Sequence, residues 1–379
     1  MATETSFLYV HAPFCARRCN YCDFAVHVSR TGDVQAWQSA IAGELAAVEN
    51  EGLFRLSDEL DTLYVGGGTP SLLGVEAMKR LAEVVGPHRL EADGLEWTSE
   101  ANPESLTLEL AKAWRAAGVN RLSLGTQTFH EPTLKWMGRL HGSEGATQSV
   151  KTAKAAGLSN LSIDLIFGLP QRLDRDWGSD LDQALAMDVP HVSLYGLTVE
   201  SGTPLGRAVA EGRETPIDEE RYRDEYLLAA EVLTAAGYEH YEVSNFARPG
   251  RRSLHNTAYW DGSAYLGLGN GAHSYAHPVR KWNERDWPIY VVKAVAGTSP
   301  EADRERIGEA EQRLETYWLG LRTDAGLSVD GLAPAQHALV ASWAARGWTK
   351  RVEPTVALNA EGWLLLDRLA VELDEAATG

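Results

Sequence analysis

The sequence predicts an α/β fold built on parallel strands, followed by a small, mostly helical C-terminal domain. Short β-rich runs recur in series, separated by Ala-rich stretches of amphipathic spacing, and from about residue 300 that alternation gives way to helical segments. The unusual residues fall just after the β-rich runs, where β/α folds place their chemistry.

The predicted strands are FLYVHA (7–12), TLYVGG (62–67), EWTSEAN (96–102), RLSLGTQ (121–127), LSIDLIFG (161–168) and HVSLYGL (191–197). Between them, VQAWQSAIAGELAAVEN (34–50) and EGATQSVKTAKAAG (144–157) space apolar residues as helices do, and several such stretches close on a glycine that can cap a helix. One strand and one helix recur at ~30 residues, the period of a parallel sheet or barrel. A further helix over 218–237 leads into YEHYEVSNFA, after which the repeat stops. EAEQRLETYWLGLRTDAGL and LVASWAARGWTKR read as helices, and VALNAEGWLLLDRLAVEL as strand, turn and helix. That segment reads as a winged-helix-like appendage over 301–379 behind a main domain over 1–300, with the boundary between VVKAVAGTSPEAD and RERIGEAEQ.

Composition narrows the function classes. At 44% hydrophobic residues the chain can bury a core, and 35 basic against 53 acidic residues leave a formal charge of −18. No Lys/Arg run offsets that charge, so nucleic acid is not an expected partner. The start, MATETSFLYV, has no basic segment followed by an apolar one, which points to the cytoplasm. No apolar run has the ~18–20 residues that span a bilayer, so any membrane contact is expected to be peripheral.

All three cysteines, Cys15, Cys19 and Cys22, lie within eight positions, CARRCNYC. On a loop after the first strand, this C-x3-C-x2-C spacing turns three sulfurs toward one metal site. A zinc site takes four protein ligands, which His11 or Asp23 could complete. A [4Fe–4S] cluster held by three thiolates leaves one iron open to an external molecule, and the amino and carboxylate groups of S-adenosylmethionine can fill that place. GGGTP (66–70) follows the second strand and lets backbone amides approach a ligand. Glu100, Gln127, Arg139 and Asp164 sit at or just beyond strand ends, where a carboxylate, an amide and a guanidinium suit hydroxyls, base edges and a carboxylate. HNTAYW (255–260) sets His255 beside large aromatic faces, and His273, in GLGNGAHSY, is the other candidate among the 11 histidines for holding iron.

These motifs resemble the radical S-adenosylmethionine proteins, and within them the group that holds the oxygen-independent coproporphyrinogen III oxidases and the heme chaperones called HemW. The resemblance covers nearly the whole chain. It implies a partial (β/α)6 barrel, a [4Fe–4S] cluster on Cys15, Cys19 and Cys22, and S-adenosylmethionine held by Tyr9, Tyr21, Gly67, Gly68, Thr69, Glu100, Gln127, Arg139 and Asp164. It also implies an electron donor for the cluster, whose electron would cleave the sulfonium to methionine and a 5′-deoxyadenosyl radical. His255 matches the H-N-x-x-Y-W motif associated with heme binding. The oxidases carry a fourth cysteine two residues after the third, where this chain has Phe24, and an N-terminal arm for which Cys15 stands too near Met1. Both departures favour the chaperones, which bind heme and are implicated in handing it to acceptor hemoproteins such as respiratory cytochromes. The resemblance leaves open the oxidase itself, another radical enzyme, and a homodimer formed through the cysteine loop.

Overall fold

The computed structural model describes residues 2–378. All six predicted strands are present: β1 (Phe7–Ala12), β2 (Thr62–Gly67), β3 (Glu96–Ala101), β4 (Arg121–Gln127), β5 (Asn160–Phe167) and β6 (His191–Gly196). Their ends differ from the expected ones by a single residue at most. They pair in parallel in sequence order. Helices α1 (Val34–Glu51), α2 (Ala77–Val85), α3 (Leu108–Ala117), α4 (Gly145–Ala155) and α5 (Trp177–Ala186) supply the crossovers that parallel neighbours require, and α6 (Glu219–Ala235) follows β6. Local chemistry sets the helix ends. Asp33, Thr107, Asp176 and Asp218 each accept a backbone N–H of the first turn, and Gly52 and Gly118 close α1 and α3 with positive φ.

Three further strands extend this sheet to nine. β7 (Glu239–Glu242) and β8 (Asn245–Ala247) join antiparallel beside β6, and β9 (Leu266–Leu268) joins parallel beside β1. The sheet runs β7-β8-β6-β5-β4-β3-β2-β1-β9 and does not pair its edges, an open barrel. β9 was not foreseen, because three residues between glycine-rich turns carry no strand pattern of their own.

Alternation along the strands separates two environments. Leu8, Val10, Leu63, Val65, Leu122, Leu124, Leu161, Ile163, Leu165, Val192 and Leu194 are buried in the main apolar core with Trp37, Ile41, Leu81 and Trp114 of the helices. The intervening positions are polar and bond among themselves: Tyr64 to Glu100, Ser123 to Asp164, and Ser162 to His191. The barrel is thus apolar outside, against its helices, and polar inside.

Its floor is closed by α7 (Leu254–Trp260), which carries HNTAYW. The His255 ring is hydrogen-bonded to Thr62 Oγ1 at the start of β2 (2.6 Å), and its backbone N–H donates to Glu96 at the start of β3 (3.2 Å). Beyond β9 the chain forms a three-stranded sheet of β10 (His273–Ala276), β11 (Val279–Asn283) and β12 (Glu301–Arg306), with α8 (Trp287–Val295) between the last two. A separate apolar cluster follows, from Leu321 to Leu373, formed by α9 (Glu309–Arg322), α10 (Pro334–Ala345), α11 (Leu366–Thr378) and a small antiparallel sheet of Leu327–Ser328, Thr355–Leu358 and Thr349–Arg351. Among the described residues no helix is long and apolar enough to cross a membrane.

Candidate functional site

The C-terminal ends of the barrel strands open into a cavity of about 740 Å³. Of the residues singled out in the sequence, Tyr9, Cys15, Cys19, Tyr21, Cys22, Gly67, Gly68, Thr69, Glu100, Gln127, Arg139 and Asp164 all line it. His255 does not.

The cysteine loop is fixed at both ends. Phe14–Cys15 pairs in parallel with His27–Val28, and the Ser29 N–H donates to the Cys15 carbonyl at 2.9 Å. Midway, the Asn20 amide donates to the Trp136 carbonyl (2.8 Å), and the Cys22 N–H turns back on the Cys19 carbonyl (3.4 Å). All three thiols are free and partly exposed to the cavity. Burial pushes the Cys15 thiol up to about 11, against the pull of a Thr69 hydrogen bond, and burial also raises Cys22, with Cys19 adding to both shifts. Neutral thiols crowded together in this way call for a cationic partner before they can ionise.

A polar chain runs behind the loop. Arg139 donates to Asn102 Oδ1 (2.6 Å) and to the Gly125 carbonyl (2.7 Å), and its other terminal nitrogen lies 3.9 Å from Cys19 Sγ. The Asn102 amide donates to the Thr69 hydroxyl (3.0 Å), whose own hydrogen is then free to point at Cys15 Sγ, 3.4 Å away. Asn102 is therefore the hub between two cysteines, although the sequence marks it only as the last residue of the predicted strand EWTSEAN.

GGGTP is packed from behind as well as open in front. A Cβ on Gly67, whose φ is +106°, would lie 2.2 Å from the His11 ring, and one on Gly68 would lie 2.7 Å from the Ala12 carbonyl oxygen. The Gly67 N–H donates to Glu100 Oε2 (2.9 Å) while the Tyr64 hydroxyl donates to Oε1 (2.8 Å). Burial, then the nearby Asp164, raises Glu100 to about 7, and burial raises Asp164 to about 6. Gln127 ends β4 with φ +67°, a left-handed conformation uncommon for a residue with a side chain.

His11 holds Tyr9 Oη at 3.0 Å and the Ala25 carbonyl at 2.9 Å through its two ring nitrogens, and Asp23 pairs with Arg285 at 3.4 Å. Both candidates for completing a zinc site are therefore engaged elsewhere. Among the described residues no three His, Cys, Asp or Glu side chains close on a single ion. Three thiols beside an arginine, two of them raised by burial, instead suit a multi-iron cluster, whose iron supplies the missing positive charge.

His255 is buried beneath this site. Thr62 Oγ1 and Tyr259 Oη occupy its two ring nitrogens, at 2.6 and 2.9 Å, and its ring stacks on Tyr64 at 5.0 Å. Burial lowers it to about 3, so it is a neutral, satisfied imidazole with no nitrogen turned to the cavity. The motif reaches the cavity wall through Tyr259. His273, Tyr265 and Phe24 stand on the wall with it, and Phe24 is 63% exposed.

The Radical SAM superfamily model matches residues 9–184, from β1 into α5. The heme chaperone HemW of Mycobacterium tuberculosis is 36% identical over 95% of this chain and 92% of its own, and that of Bacillus subtilis is 33% identical over 94% and 96%. The structure of the Escherichia coli coproporphyrinogen III oxidase HemN, a radical SAM enzyme, superposes with a TM-score of 0.78 at 22% identity, covering 98% of this chain and 90% of the oxidase, a likeness of fold. Near-complete coverage at this identity, on a barrel whose strand ends gather three cysteines and GGGTP around one cavity, places the chain in the HemW heme chaperone family of the radical SAM superfamily.

Proposed function

We propose that this protein is a heme chaperone that holds a [4Fe–4S] cluster and S-adenosylmethionine in the barrel mouth, carries heme at the same cavity and passes it to acceptor hemoproteins. The observation that carries the reading is the composition of that single cavity: three thiols with an arginine at one end, and an aromatic wall of Phe24, Tyr259 and Tyr265 with an accessible imidazole.

Cys15, Cys19 and Cys22 would hold the cluster, and the cluster when bound supplies an electron to the sulfonium of S-adenosylmethionine. The remaining work falls to the chain. Arg139 lowers the cost of negative charge on Cys19, and the Thr69 hydroxyl does the same for Cys15. Gly67, Gly68 and Thr69 present backbone to the methionine end, and Glu100, held by Tyr64, is an acceptor for its amino group. Once a cationic amine is seated, Glu100 should ionise, because the opposite charge offsets the burial that keeps its proton. Gln127 and Asp164 stand on the same wall for ribose and base. The HNTAYW segment would act from below: His255 fixes the Tyr259 hydroxyl, and Tyr259 faces the cavity.

Phe24 distinguishes this reading from the oxidase. It fills the place of the oxidases' further cysteine with an exposed apolar ring beside the third thiol. The test is heme transfer. The heme-loaded, cluster-reconstituted protein is mixed with an apo b-type cytochrome, and the acceptor's own absorption is followed. Its appearance faster than with free hemin supports the chaperone, and a rate no greater than with free hemin contradicts it.

A further inference from the structure

Which side chain meets the heme iron is a question on which the cavity itself has something to say. We propose that His273 is the axial iron ligand of the carried heme, presented by a strap that is clamped to the cysteine loop. The inference rests on the heme-carrier reading above and deepens it.

Two histidines line the cavity, His11 and His273. Both ring nitrogens of His11 are occupied, as are those of His255 beneath the floor. His273 is exposed at the start of β10, and among the described residues no hydrogen bond engages its ring. Its orientation is nonetheless set. The ring lies over Trp282, its cross-strand neighbour, at 5.8 Å and 28°, which leaves the nitrogens at the ring edge available.

The strap that carries His273 is anchored at Asn270 and Gly271. Asn270 is fully buried and its amide donates to the Ala25 carbonyl and to the Arg285 carbonyl, both at 3.0 Å. Gly271, with φ +68°, approaches so closely that a Cβ there would lie 2.7 Å from the Ala25 Cβ. Ala25 lies three residues beyond Cys22, so the iron-binding imidazole and the cysteine loop form one unit.

The surroundings suit a porphyrin. Phe24, Tyr265 and Ala272 offer apolar faces on the wall, and Arg285, whose side chain remains 60% exposed while bonded to Asp23, can reach a propionate. Ligation needs only the lone pair of a neutral imidazole nitrogen, so no electron or proton is exchanged when the bond forms.

The experiment is a ferric hemin titration of the cluster-reconstituted full chain, read by the Soret band and by electron paramagnetic resonance. Parent, His273→Ala, His273→Gly with and without imidazole, and His337→Ala as an exposed control on α10 are compared. The parent and His337→Ala should bind one heme with a histidine-ligated spectrum. His273→Ala should lose that spectrum and bind about tenfold more weakly or worse. Imidazole should restore the spectrum to His273→Gly, which a merely structural role would not allow. A His273→Ala protein with the parent's spectrum and affinity overturns the assignment while leaving the carrier reading intact. A parent with no saturable heme site overturns the carrier reading itself, and this inference falls with it.

Discussion

Asn102 accepts a hydrogen bond from Arg139 at 2.6 Å and donates one to the Thr69 hydroxyl at 3.0 Å, so it links the two residues that bring polarity to Cys19 and Cys15. Replacing Arg139 with alanine strands the Asn102 and Gly125 oxygens and should cost about 2 kcal/mol of stability in the cluster-free protein. Iron bound per chain after reconstitution should fall further than in Arg139→Lys, which keeps the charge but not the fork. Thermal unfolding and iron analysis check both. Equal iron in all three proteins would remove Arg139 from the cluster's support.

Glu100 gives a pH prediction. Its carboxyl is raised to about 7 by burial, with Asp164 the next cause, whereas the unfolded chain ionises near pH 4.3. Between those values the folded state holds a proton that the unfolded state has lost, so this group's contribution to stability falls as pH rises toward about 7 and is level above it. Glu100→Gln cannot ionise. Without cofactors, the variant should gain on the parent between pH 5 and pH 7.5, by about 2 kcal/mol at most for a carboxyl that keeps some solvent contact. Parallel stability curves would refute the assignment.

Gly67 is constrained on two counts, its positive φ and the His11 ring that a Cβ would strike. Gly67→Ala should destabilise by about 2 kcal/mol or more in urea. Gly94→Ala, where a Cβ meets open space, should stay within about 0.5 kcal/mol of the parent. If both variants unfold at the same urea concentration as the parent, the close packing behind GGGTP is not as described.

Phe24 predicts a separation of stability from binding. At 63% exposure its removal should change unfolding by no more than about 0.5 kcal/mol. The Soret titration of Phe24→Ala should nevertheless show weaker heme binding, since an apolar face at the cavity mouth has gone. Unchanged heme affinity would leave the ring without the part assigned to it.

The barrel was legible in the sequence because the strand runs are short, most are rich in β-branched and aromatic residues, and several of the helices between them close on a glycine. The cavity was legible because C-x3-C-x2-C, GGGTP and the strand-end polar residues all fall where parallel strands finish. Other features carried no local signal. β9 is three residues long and owes its place to pairing with β1, and Asn102 looks like any strand-end asparagine until Arg139 arrives from beyond the next strand. His255 was expected beside heme on its aromatic neighbours. Only the tertiary contacts with Thr62 and Tyr259 reveal that those neighbours enclose it and leave both ring nitrogens occupied.

Under the proposed function, one cavity serves cluster and heme in a carrier, not an oxidase. The most direct test is an anaerobic heme titration of the reconstituted protein followed at the Soret band, with coproporphyrinogen III turnover measured on the same sample. Saturable binding near one heme per chain, with no turnover, is the expected result. Conversion to protoporphyrinogen by a protein with no specific heme site would contradict it.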